Sequence, residues 1–398
     1  MKSNRESTLL VLPWSPDLPG GVSVVVRNLA RTWNAAGLPV AILVSSWSSK
    51  RVTVDDCGTL SLKLAIIGKQ TVIGLIKSAL FLHVTLWRTL SLLKKQNTGT
   101  VYFHYANLDS FGVALLKRLR LFKGRFILCF HGTDVRKPKS RLQSMLWRFV
   151  FDSADGITAC SNALARGVEQ TYGLTSGRVA TVYSGVNTAV FSRASSKAAP
   201  DNLFGGNIQR YIVSVGSFIE RKGHRSLLEA FNRVAGVFPE IGLVIVGMDG
   251  DQRESLEARV TALGLQASVR FLVNLKPAQV AEIVAGATLC VQPSIAEPFG
   301  MAVIEAGACG VCVVASAVGG HMELISHGET GFLFQAADVD GIESILIDVL
   351  RDDVRRAQVA EAFHAQVISE FTWKACADLY QAGGKPSLEH TLPGVRGK

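Results

Sequence analysis

Short runs of Val, Ile and Leu recur through the chain, each followed by a turn and then a stretch of helical period. The runs TLLVL, VAILVS, TVYFHY, RFILCF, GITACS and VATVYS come first; YIVSVGS, GLVIVGMDG, VRFLV, ATLCVQPS, VCVVAS and TGFLF follow. Several are apolar on both faces, as strands buried in a parallel sheet are. The segments between them, such as GVSVVVRNLARTWNAAG and HRSLLEAFNRVAGVF, have helical length and period. Strict alternation of this kind predicts α/β architecture with doubly wound parallel sheets.

At 398 residues the chain exceeds one ordinary core, so two domains are expected. The break falls in the small, polar stretch RASSKAAPDNLFGGN at 193–207, which no apolar period crosses. The expected organisation is a Rossmann-like first domain over 1–195, a Rossmann-like second domain over 207–380 and a disordered tail over 384–398. The two sheets would face a cleft, with ligands at the carboxyl ends of their strands. Charge divides along the same line. Residues 1–200 carry 26 Lys and Arg against 9 Asp and Glu, leaving 16 against 23 in the rest. A basic first half and an acidic second half imply different partners for the two.

Composition, 48% hydrophobic and 19% charged, favours a folded globular protein over a disordered one. Seven scattered cysteines argue against a disulfide framework, and the single CxxC, Cys309 and Cys312, reads as two packed thiols. The apolar run at Leu9–Leu12 is too short for a signal peptide and ends at Pro13, which points to a cytoplasmic protein.

Chemistry concentrates in PSIAEPFGMAVIEAGACG. Glu297 and Glu305 stand eight positions apart around Pro298, Phe299 and Gly300. Pro298 suits a first helical position, which would put Glu297 at the helix mouth and Glu305 on the order of 12 Å further along the axis. A helix mouth offers free N–H groups and a positive dipole end to a phosphate or to sugar hydroxyls. Two separated carboxylates suit the two polyols of a nucleotide sugar. The plainer alternative is a capping glutamate followed by a solvated one.

This stretch resembles the E-x7-E signature of the family-4 glycosyltransferases, retaining enzymes of the GT-B fold. Other segments match in order over roughly 9–380: PGGVSVVVRNLARTW, FHGTDV, DSADGITACSNAL, VYSGVNTAVF, VSVGSFIERKGHRSLLEAF and VGGHMELISHGETGFLF. The resemblance implies that Lys222 binds the donor diphosphate. Ser217 stands where the family usually has a second cation, and Arg221 is the candidate replacement, since a guanidinium grips two phosphate oxygens. Glu297 would contact the transferred sugar, with Phe299, Gly300 and Met301 offering backbone amides. Glu305 would bind the ribose.

In the first half, Gly20 and Gly21 open a helix, where glycine permits close backbone approach to a ligand or simply a tight turn. Gly21 is counted with the donor-binding residues. His131, at the end of RFILCF, would lie beside the donor sugar and is grouped with Lys222 and Glu297 as catalytic. Asp134 either orients His131 or bonds a loop.

The resemblance implies transfer of a hexose-type sugar from a nucleoside-diphosphate sugar to an acceptor hydroxyl with retention, in bacterial cell-surface polysaccharide or glycolipid synthesis. Neither a metal nor a resident cofactor is expected, nor a nucleic-acid partner. The alternatives are an epimerase or phosphorylase of the same fold, or a non-catalytic membrane-surface binding protein. Finally, residues 71–95 are unusually apolar, with Lys77, Arg88 and Lys95 on one helical stripe. The charges at Lys77 and Arg88 argue against a spanning helix. The segment forms either a core helix with one wet face or an interfacial helix on an anionic membrane, the latter suiting a lipid-linked acceptor.

Overall fold

The structure is a computed structural model and describes residues 6–45, 58–61, 72–198, 203–204 and 208–383. The proposed tail at 384–398 and part of the polar break lie outside these residues. The chain divides into two compact units.

The first unit is built on a seven-stranded, all-parallel sheet: β1 (Ser7–Leu12), β2 (Val40–Val44), β3 (Gly58–Ser61), β4 (Thr98–His104), β5 (Arg125–Phe130), β6 (Gly156–Ala159) and β7 (Ala180–Thr181). Its order is β3-β2-β1-β4-β5-β6-β7. Between the strands run α1 (Gly21–Ala35), α2 (Val72–Lys95), α3 (Phe111–Arg118), α4 (Arg141–Ser153) and α5 (Asn162–Tyr172). Local chemistry fixes several ends. Ser140 and Ser161 cap α4 and α5 by accepting from Gln143 N (3.2 Å) and Leu164 N (3.0 Å). Gly173, at φ 66°, ends α5 in the left-handed conformation that glycine adopts without strain. β3 was not foreseen; four residues beginning with Gly58 carry no apolar run. The α2 helix forms where the sequence placed one.

The second unit has a six-stranded parallel sheet: β8 (Arg210–Val215), β9 (Ile241–Gly247), β10 (Val269–Val273), β11 (Leu289–Gln292), β12 (Val313–Ser316) and β13 (Phe332–Phe334), in the order β10-β9-β8-β11-β12-β13. Its helices are α6 (His224–Val237), α7 (Arg253–Ala262), α8 (Pro277–Ala285), α9 (Met301–Ala308), α10 (His321–Leu324), α11 (Val339–Arg351) and α12 (Asp353–Glu370). Each apolar run identified in the sequence is a strand. Ile212, Leu243, Ile245, Val291 and Val314 are buried in one cluster with Leu227 and Phe231 of α6.

The units part at Tyr183/Ser184, ahead of the polar stretch at 193–207. The last helix, α13 (Trp373–Gln381), returns to the first unit rather than closing the second. Its buried side is completed there: it packs on α1, Tyr102 Oη donates to the Tyr380 carbonyl (2.7 Å), and the Arg125 guanidinium donates to the Gln381 carbonyl (2.7 Å).

In each sheet the chain winds outward from a central strand and then resumes on its other side. The resulting switch points lie between β1 and β4 and between β8 and β11. Loops leaving the carboxyl ends of such strand pairs form the natural ligand site of a doubly wound sheet.

Candidate active site

In the second unit those loops are 216–223, after β8, and 293–300, after β11. Gly223 turns into α6 at φ 69°, and a Cβ there would run into the Pro293 carbonyl. Only glycine lets the two loops meet this closely. Ile295 N donates to the Arg221 carbonyl (2.8 Å), stitching them together.

Across this seam Lys222 Nζ lies 2.6 Å from Glu297 Oε2. The Ser294 hydroxyl donates to the same oxygen at 3.2 Å. No hydrogen bond reaches Glu297 Oε1 among the described residues, so one carboxylate oxygen is anchored and the other is open. Burial raises the Glu297 carboxyl, but Lys222, His321 and Arg221 together outweigh that and hold it below its ordinary range. Arg221 therefore stands close enough to act electrostatically on the same carboxylate.

A turn after β12 clamps the 297–300 loop from below. Gly320 N donates to the Glu297 carbonyl (3.0 Å). Side chains at Gly319 and Gly320 would strike the carbonyls of Glu297 and Phe299. Gly300 caps α9 at φ 114°, with His321 so near that a Cβ would sit 2.9 Å from its ring. His321 Nδ1 lies 3.1 Å from the Ser316 carbonyl, which fixes the ring.

The helix therefore begins at Met301, not at Pro298. Glu297 precedes it in a loop, and the two glutamates are not spaced along one axis. Of the residues between the two glutamates only those from Met301 on are helical, and Lys222 acts electrostatically on both carboxylates. Glu305 is partly exposed and has no hydrogen bond among the described residues; burial pushes its carboxyl up to about 8, against the pull of Lys222. Phe299 buries its side chain, leaving only its backbone to offer. Met301, at the first turn of α9, presents an amide with no intrahelical partner.

Sequence reasoning missed Ser294, the Gly319–Gly320 clamp and His321. The only signal was the VGGH segment, whose contacts with a loop some twenty residues earlier are not local. A cavity of about 430 Å³ opens elsewhere in the unit, lined by Phe332, Phe334, Val349 and Arg355, none of which belongs to this site.

In the first unit Gly20, at φ 146°, leads into α1 at Gly21, and a Cβ at Gly21 would meet nothing within 4 Å. His131 follows β5. Asp134 takes the amides of His131 (3.0 Å) and Gly132 (2.6 Å), so it shapes the loop and makes no bond to the ring. Burial lifts its carboxyl to about 6, against these donors. His131 Nε2 lies 3.1 Å from Nδ1 of His104, the last residue of β4. Burial pushes His131 down to about 4, and burial together with the neighbouring His131 ring holds His104 well below the ordinary imidazole range, so both rings favour the neutral form at pH 7. Among the described residues no three His, Cys, Asp or Glu side chains gather as a metal site.

Cations and open amides thus surround an anchored carboxylate at the switch point of a doubly wound sheet. The description "Glycosyltransferase Family 4" matches residues 19–190, and "Glycosyl transferases group 1" matches 203–365. The chain belongs to this glycosyltransferase family. It is 26% identical over 370 residues to the phosphatidyl-myo-inositol mannosyltransferase of Mycobacterium leprae, spanning 92% of this chain and 93% of that one. It is 25% identical over 292 residues to the N-acetyl-alpha-D-glucosaminyl L-malate synthase of Bacillus anthracis, spanning 72% and 74%. Two solved structures share the fold. A glycosyltransferase from Rickettsia africae gives a TM-score of 0.79 at 17% identity, covering 96% of this chain and 98% of that one. HepE from Anabaena, in complex with UDP-glucose, gives 0.72 at 19%, covering 94% and 98%. The expected GT-B fold is the observed one.

Proposed function

We propose that the protein transfers a hexose-type sugar from a nucleoside-diphosphate sugar to an acceptor hydroxyl with retention, in bacterial glycolipid or cell-surface polysaccharide synthesis. The observation that carries this reading is the Lys222–Glu297 pair at the β8/β11 switch point. An ammonium has three donors. One is committed to Glu297, and two remain for the donor diphosphate. Arg221 and the first amides of α9 add positive potential where the leaving phosphate gathers charge, an electrostatic role in the transition state. Glu297 Oε1 then accepts from a hydroxyl of the transferred sugar and orients it. Glu305 lies within reach of the Lys222 field and takes the ribose. With cations already supplied by the chain, the reaction as proposed requires no metal.

Structural relatives solved in complex with UDP-glucose or with ADP support the donor class. The mannosyltransferase relative, named for a phosphatidylinositol, supports a lipid-linked acceptor. Such an acceptor places the protein at the cytoplasmic leaflet. No helix among the described residues is long and apolar enough to cross a membrane. On α2, Trp87 is 67% exposed and is followed by exposed Arg88, Lys94 and Lys95. On α4, Met145 is 69% exposed between exposed Arg141 and Arg148. Aromatic and aliphatic groups interleaved with cations suit an anionic interface. The side chain of Lys77 lies outside the described residues.

The test is calorimetric titration with UDP-, GDP- and ADP-sugars, followed by transfer with the product anomer read by NMR. One donor should bind, and Glu297→Gln should abolish transfer while nucleoside-diphosphate affinity stays within a few-fold. Near-normal turnover in Glu297→Gln, or an inverted anomer, would overturn the reading.

A further inference from the structure

His104 ends β4, on the inner side of the β1/β4 switch point, and is 1% exposed. Its ring stacks on that of His131 with centroids 5.3 Å apart. On its other flank stands Tyr380 of α13, with centroids 5.5 Å apart. Directly after it Tyr105 is held at φ 63°, a left-handed conformation that strains a non-glycine residue. The amides of Tyr105 and Ala106 both turn to the Cys129 carbonyl, at 3.0 and 3.3 Å. The backbone is thus bent so that the β4 terminus faces the β5 terminus, where His131 sits.

A hydrogen bond between two ring nitrogens needs one bare lone pair and one proton, so the two rings cannot both be imidazolium. No carboxylate bonds either ring, Asp134 being occupied with backbone amides. The remaining nitrogen of His104, Nε2, is fully buried without a partner. Two arrangements remain. If His131 donated, His104 would carry a buried N–H pointed at nothing. If His104 donates, its Nε2 is a bare acceptor. Orphaned buried N–H groups are the rarer of the two. This preference favours the second arrangement, which would place the proton of His131 on Nδ1.

We propose that His104 is a positioning residue that donates from Nδ1 to His131 Nε2, locking His131 in the Nδ1–H tautomer so that it presents a hydrogen-bond donor, not a base, to a substrate hydroxyl. This rests on the catalytic reading of His131 and sharpens it. His131 Nδ1 makes no bond among the described residues and is the ring nitrogen on offer. A neutral N–H donor holds a sugar oxygen in place without removing its proton, which suits a reaction in which the departing phosphate takes the acceptor proton.

The parent protein, labelled with 15N-histidine, tests this directly. Two-bond 1H–15N spectra distinguish the tautomers, and His104→Phe and His131→Phe assign the two rings. His131 should be protonated on Nδ1 in the parent and lose that preference in His104→Phe. In turnover, His104→Phe should lower kcat by roughly 10- to 100-fold with donor KM unchanged within twofold. His104→Asn, whose amide nitrogen lies where Nδ1 lay, should restore much of the loss. Finding the His131 proton on Nε2 in the parent would overturn the proposal, and so would full kcat in His104→Phe. Full activity in His131→Phe would instead remove the catalytic reading beneath it, while the tautomer still judges the pairing.

Discussion

Lys222→Met removes the counter-charge of Glu297 while keeping the length of the side chain. The two groups lie 2.6 Å apart, with side-chain exposures of 18% and 12%. Truncating one partner of a fully buried pair costs about 3–5 kcal/mol, because the other charge is left uncompensated. Residual contact with water and the Ser294 hydroxyl put this site at the lower end, about 3 kcal/mol. The sign with pH follows from the depressed Glu297 carboxyl. Its pairing contributes stability above the ordinary value of 4.5 and loses it as pH falls through the folded value below that. The gap between parent and Lys222→Met should therefore be widest near neutral pH and close in acid. Urea unfolding of the parent, Lys222→Met, Glu297→Gln and the double variant measures it. The double variant should recover much of the loss, with a coupling of about 2 kcal/mol. A Lys222→Met protein as stable as the parent, or single effects that add within about 0.5 kcal/mol, would refute the reasoning.

Arg221→Ala should weaken nucleoside-diphosphate binding by about 1.5–3 kcal/mol, the value of a charged contact; unchanged affinity in calorimetry would leave the site a single cation. Glu305, pushed up to about 8 from 4.5, keeps in the folded chain a proton that the unfolded chain has released. Stability should consequently fall as pH rises across that window, and Glu305→Gln should flatten the fall; identical slopes in urea unfolding for the two proteins would count against the assignment. Gly21→Ala has room for its methyl and should fold normally yet transfer sugar poorly, whereas Gly320→Ala, meeting the Phe299 carbonyl, should lose donor binding; circular dichroism paired with the transfer assay separates these outcomes. Co-sedimentation with anionic vesicles should fall at high salt and in Arg88→Glu, Arg141→Glu, Arg148→Glu; equal recovery with neutral vesicles would leave a soluble acceptor as the better reading.

The strands were legible because a parallel strand buried on both faces needs an unbroken run of apolar residues, and β1, β5, β9 and β12 have one. The start of α9 was misplaced for the opposite reason. Local preference favours Pro298 at a first helical position, but Gly300 at φ 114° and the clamp from Gly319 and Gly320 hold 297–300 as a loop. That clamp comes from a different strand. Their spacing drew attention to Glu297 and Glu305, and the resemblance to Lys222; the structure adds that Lys222 acts on both carboxylates. His104 gave no signal beyond a polar residue at the end of TVYFHY, because its significance lies in a partner at the end of another strand. The return of α13 was equally hidden, since nine amphipathic residues do not announce which core completes them.

The path of α13 makes the second unit an insertion in the first. The chain leaves after Tyr183 and comes back at Trp373, and its exit and re-entry are side by side, with Val186 N donating to the Phe371 carbonyl at 2.8 Å. During synthesis the first unit is begun first and finished last. Its sheet emerges from the ribosome with the Tyr102 hydroxyl lacking its acceptor and the flank of His104 uncovered, and both wait until the entire second unit has been made. A chain stopped between His321 and Tyr380 would possess every residue assigned here to donor binding, yet lack the wall behind the histidine pair.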